Sequence, residues 1–169
     1  MRKLSGGARK AVQVVLATGV AAGAMTAEAT VDSWLRIPGI PGESTNADHK
    51  GEIVVLSYAQ TLDNKNCAFA VEKLLDSASP AFAEAAAKKT TLPSVVFSAR
   101  LAGEGQKDFY TVTLASATIA NLNTSYASGA ATAREEVTFS PRSVTVTYRP
   151  QDAKGSLGAA ITTSFTCDK

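Results

Sequence analysis

His49 is the one histidine of this 169-residue chain, and Cys67 and Cys167 are its two cysteines. These residues bound the nucleophilic and metal chemistry the chain could perform. One histidine excludes a multi-histidine metal centre, and Cys67 is the lone soft ligand before the C-terminus. A Cys67–His49 nucleophile–base pair would need a third group to orient the base, and no such group is evident. Glu135 and Glu136 are adjacent, so on a strand they point to opposite faces and cannot share a substrate. They read as a solvated loop end. Gly103-x-Gly105 lacks the remainder of a dinucleotide fingerprint and reads as hairpin chemistry. Asn123-Thr124-Ser125 matches a glycosylation acceptor by pattern alone. No catalytic residue, metal ligand set or cofactor site is expected, and the chain does not read as an enzyme. Trp34 alternates with Asp32 and Arg36, which leaves it as a partly exposed packing residue or an interface anchor.

The elements around these residues have a period of two. Strands are expected at 31–37, 53–58, 67–75, 94–101, 109–119, 137–148 and 159–167. Pro38-Gly39-Ile40-Pro41-Gly42 stops the first, and 43–50 reads as an exposed polar loop. Asp63-Asn64-Lys65-Asn66 is a turn cluster, Gly103-Glu104-Gly105-Gln106 joins a hairpin, and 121–133 reads as a small, polar, flexible stretch. One helix is expected near 79–88: Ser79 can cap it, Pro80 suits its first turn, and the following residues are largely alanine. About seven strands and one helix make a small β-barrel or sandwich with a helix laid on it.

Residues 1–29 read as an export signal: a basic head with Arg2, Lys3, Arg9 and Lys10, an uncharged run from Ala11 to Met25, then Ala27-Glu28-Ala29 as the cleavage pattern. The run falls short of the roughly 20 apolar residues that span a bilayer. The working domain is then 30–169, starting at Thr30, in the periplasm or outside the cell. Of the chain's 17 basic and 15 acidic residues, the leader holds four and one, leaving 13 against 14. This near-neutral balance gives no argument for a nucleic-acid partner or, after cleavage, for a membrane. In an oxidising compartment one disulfide is permitted. Cys67, Phe69 and Val71 alternate on one face, as do Ile161, Thr163, Phe165 and Cys167, so the thiols could meet in the core. Two unpaired buried thiols are the alternative.

Four segments carry a resemblance. The first is Trp34-Leu35-Arg36-Ile37-Pro38-Gly39-Ile40-Pro41-Gly42-Glu43-Ser44, followed by His49-Lys50-Gly51-Glu52-Ile53. The second is Asp76-Ser77-Ala78-Ser79-Pro80, and the third is Tyr110 to Leu114. The fourth is Val144 to Tyr148, with Pro150-Gln151 and Gly155-Ser156-Leu157-Gly158. In this order they resemble the haemolysin-coregulated protein (Hcp) family, the tube subunits of type VI secretion. The resemblance implies a compact β-barrel with one flanking helix. It also implies homo-hexameric rings stacked into a hollow tube, small secreted effectors as cargo and a spike protein at the tip. By the same resemblance Gly42, Glu43, Ser44, His49, Lys50 and Gly51 form a loop contacting the next ring. The leader and the cysteine pair depart from the family pattern. A second reading is an exported Hcp-like or other β-sandwich binding module acting without a firing tube. Aromatic residues make up 7% of the chain, too few for the aromatic-rich surface a glycan-binding module presents.

Overall fold

The computed structural model describes residues 30–63, 66–103, 105–152 and 155–167. The leader with Ala27 and Ala29, and Asn64, Lys65 and Glu104 of the two expected turns, lie outside them. The described chain runs β1 (Val31–Arg36), β2 (Ile53–Val55), β3 (Ser57–Leu62), β4 (Cys67–Leu74), α1 (Ser79–Lys88), β5 (Leu92–Leu101), β6 (Tyr110–Ser125), β7 (Arg134–Ser140), β8 (Ser143–Tyr148) and β9 (Ile161–Thr166). No described helix is long and apolar enough to cross a membrane.

The closed barrel expected from the sequence is not formed. The nine strands make one open sheet in the order β2-β1-β5-β6-β7-β4-β3, with β8 on β6 and β9 on β8. The reason lies at two breaks. At Leu56 the chain passes from β2, which pairs with β1, to β3, which pairs with β4. One extended segment therefore touches both ends of the path, and no ladder joins them. The second break is at Pro141. Thr118 pairs with Ser140 and Ala115 with Ser143, so β7 and β8 are one ribbon along the same side of the 16-residue β6. Pro141 lacks an amide donor and interrupts it. What read as a single strand at 137–148 is thus two. What read as a flexible stretch after 121 begins as the end of β6, which carries a register shift between Ile119 and Asn121. Those end residues are mostly exposed, which is why their composition resembles a loop.

The break reorganises the far side of the ribbon. There β7 is covered by β4 and β8 by β9. The strand β9 runs toward the Pro141 corner, where the Cys167 amide donates to the Arg142 carbonyl at 2.8 Å. From the same corner β4 runs away: Phe69 faces Phe139, which puts Cys67 level with Pro141. Cys67 and Cys167 are joined as a disulfide, Cα atoms 5.8 Å apart and 100 residues apart in sequence. The bond splices the end of β9 to the start of β4. Closing a loop of this length stabilises by about 4–5 kcal/mol on the chain-entropy model.

The core lies between the sheet's curled halves and under α1. Leu35, Ile53, Phe69, Phe97, Leu114, Val137 and Phe139 are all fully or almost fully buried. Phe82 of α1 meets Phe139 edge-on, with ring centres 6.1 Å apart. Ser79 does not cap the helix. The cap position is Ala78, without a side-chain bond. The Ser79 hydroxyl instead donates inward to Glu135, and it accepts from Lys73 Nζ at 3.0 Å. Lys73 Nζ also lies 2.8 Å from Glu135 and 2.7 Å from Asp76. Glu135 is therefore not a solvated loop end. It is buried on the inner face while Glu136 is exposed, the division that strand geometry demands. Burial pushes the Glu135 carboxyl up, but the Lys73 ammonium and the Ser79 and Thr124 hydroxyls outweigh it and hold it below its ordinary value.

A carboxyl depressed in the fold stabilises above its unfolded titration range and loses that contribution as pH falls through its folded value. Glu135→Gln should cost about 1–3 kcal/mol at neutral pH, because it removes one of the two carboxylates facing the buried Lys73 ammonium and leaves Asp76 as its sole ionic partner. The gap to the unmodified protein should narrow below about pH 4. Urea titrations across that range check this; a gap independent of pH would contradict it.

Candidate functional site

The loop from Gly42 to Gly51 is held by its own backbone. The Gly42 amide donates to the Gly51 carbonyl at 2.8 Å, Gly51 to Ser44 at 2.8 Å and Ser44 to Glu52 at 2.9 Å. Gly42 lies so near the returning chain that a Cβ there would come within 2.5 Å of Ile53 Cα, so no other residue fits without a shift. Gly51 takes φ +73°, the left-handed conformation that favours glycine. Asn46 Oδ1 accepts from the Asp48 amide at 3.0 Å and the His49 amide at 3.3 Å, closing a side-chain-capped turn at the tip.

Beneath the loop is a polar and aromatic platform. The His49 ring is 5% exposed and stacks on Trp34, with centres 4.0 Å apart and planes 6° from parallel. His49 Nδ1 lies 2.8 Å from Glu52 and Nε2 lies 3.1 Å from Asp108. The Arg100 guanidinium sits 5.0 Å from the Trp34 ring centre. Its Nε donates to Asp108 at 3.0 Å and its Nη1 to Asp48 at 3.0 Å. That hydrogen bond, with the charges of Lys107 and Arg100, holds the Asp48 carboxyl below its usual range. The platform thus joins β1, β5, the segment before β6 and the loop.

The six loop residues singled out by resemblance fall into two groups. Gly42, Ser44, His49 and Gly51 are buried or half-buried and shape the loop. Glu43 and Lys50 are exposed. Glu43 also accepts from the Ser77 amide at 3.0 Å, tying the loop to the entry of α1. Trp34 is no exposed anchor: it is 4% exposed and roofed by His49. His49 and Cys67 are not brought together, since Cys67 bonds Cys167. Among the described residues no cluster of three or more His, Cys, Asp or Glu is placed to hold a metal. Sequence reasoning missed Asp108, which meets His49 from 59 residues away, and Arg100, which holds Asp108 and Asp48. It also missed Lys73, although the alternation of Cys67, Phe69 and Val71 continues to it. What this arrangement does chemically is hold a shape: two opposite charges presented on a preordered loop.

Residues 34–148 match a family model described as type VI secretion system effector, Hcp. Among solved structures the chain is similar to Hcp1 from Salmonella typhimurium: TM-score 0.72, 26% identity, covering 80% of this chain and 94% of that one. It is similar to Hcp2 from Salmonella typhimurium at TM-score 0.64 and 26% identity, with the same coverage of 80% and 94%. A type VI secretion system effector from Yersinia pestis shares the fold at TM-score 0.68 and 24% identity, over 80% of this chain and 99% of that one. Comparison with curated proteins returns no match.

If the platform orders the loop, His49→Ala should lower stability by about 1–3 kcal/mol through loss of the ring stack and the carboxylate bonds. It should also speed amide exchange across 42–52. His49→Phe should recover part of the stability, the stacking share. Hydrogen exchange followed by mass spectrometry reads both, and unchanged exchange in the alanine variant would contradict the assignment.

Proposed function

The chain belongs to the Hcp family of type VI secretion proteins, and from that premise we propose that it is a non-enzymatic, secreted structural subunit that closes into hexameric rings. The rings stack into a hollow tube. The observation that carries the reading is the preordered loop over the Trp34–His49–Arg100 platform. A loop whose shape is set before contact loses little entropy on docking. Glu43 and Lys50 present opposite charges to a facing ring, and Gly42, Ser44, His49 and Gly51 keep them in place. The enclosed channel suits small secreted effectors as cargo, and a spike protein is the partner at the tube tip.

The export signal gives this subunit a particular route. Cleavage after Ala29 leaves a domain starting at Thr30 that folds in an oxidising compartment, where Cys67 and Cys167 pair. These two features favour a second reading, an exported ring-forming protein that works without a firing tube. Both readings share the ring and differ in where it forms.

Protein recovered from the periplasm and the medium should begin at Thr30 by mass spectrometry and form rings by electron microscopy. Sheared cytoplasmic tubes containing an intact Met1 would overturn the export route. A stable single subunit at high concentration would overturn the ring.

A further inference from the structure

Three described strands are paired on one side only, and two of them, β3 and β9, are longer than three residues. β3 pairs with β4 alone, and β9 with β8 alone. Each has six residues, an edge of about 20 Å at strand rise. The cause is the Pro141 corner. The β3–β4 hairpin turns back where Leu62 faces Cys67, level with the disulfide, so β3 does not run on to cover β9.

Sequence makes these edges unusual. Proteins that remain single protect a free edge with lysine, proline, inward charge or extreme shortness. β3 reads Ser-Tyr-Ala-Gln-Thr-Leu and β9 reads Ile-Thr-Thr-Ser-Phe-Thr: no charge and no proline in either. Their Thr, Ile, Tyr and Phe are strand formers. Leu62 is 44% exposed and Ile161 is 64% exposed, so an apolar side chain stands beside each edge. The third free edge, at β2, has three residues and is self-limited.

We propose that the outer edge of β9 on one copy pairs with the outer edge of β3 on a second copy. This rests on the ring reading and assigns the contact that closes the ring. Two different edges of one chain make a head-to-tail interface, the kind that closes into rings when the rotation allows. The Cys67–Cys167 bond has a part in it. β9 packs along β8 and, beyond that ladder, is fastened by the disulfide, so oxidation holds the edge straight and in register for its neighbour.

Complementation tests this directly. A β9-blocked variant carries Ile161→Lys and Thr163→Lys, and a β3-blocked variant carries Thr61→Lys and Leu62→Lys. Circular dichroism establishes that each folds, and native mass spectrometry gives its assembly. Each variant alone should be a single subunit. Mixed, they should form one-to-one dimers and stop there, because one intact β9 and one intact β3 remain. Reduction of the unmodified protein should lower its ring fraction. Rings formed by either folded variant alone, or no dimers in the mixture, would overturn the edge pairing while leaving the ring reading intact. An unmodified, oxidised protein that stays single overturns both.

Discussion

The interruption of one long ribbon at Pro141 governs the architecture. Without it, β7 and β8 would be one strand on β6, and a single partner could cover them. A proline cannot supply the ladder bond at that position, and the outer neighbour changes there from β4 to β9. Three consequences follow at once. The sheet stays open, the disulfide is needed to join what the ladder cannot, and β9 is left with a bare outer edge. The disulfide therefore belongs to the topology. It replaces a missing continuity of strand with a covalent one.

Two buried polar clusters then make the opened sheet rigid. Lys73, Glu135, Asp76 and Ser79 pin α1 to the sheet, and Arg100, Asp108, His49 and Glu52 pin the loop to β1 and β5. In each, the ionic groups find partners within hydrogen-bond distance, the condition under which buried charge is tolerated. Each holds a surface element in one orientation, the property a repeating subunit needs.

Much of this was legible in the sequence, and the failures have physical causes. Alternation revealed the strands because most bury one face, and Pro80 before an alanine run revealed the helix. Cys67 shares the alternation of Phe69 and packs, partly buried, against the core. The break at Leu56 carries neither glycine nor proline, so two strands read as one. Pro141 was visible, but its effect depends on which strands flank it, and no local pattern records that. The end of β6 was lost because it is exposed on most sides and polar. Barrel closure was inferred from strand count, whereas it is decided by ladders between distant strands. At the loop, Gly42 and Gly51 mark its base, yet His49 could be read as a contact residue only until Asp108 and Trp34 were placed around it.

The proposed export leader and the disulfide are consistent with each other, since a protein that relies on an oxidised splice benefits from folding outside the reducing cytoplasm. The central claim is that an open sheet completes itself with a second copy. Amide exchange across 161–166, compared between dilute single subunits and the oxidised assembly, tests it most directly. The account predicts that outward-facing amides of β9 exchange fast when single and become strongly protected on assembly. Equal exchange in both states, with the assembly intact, would contradict it.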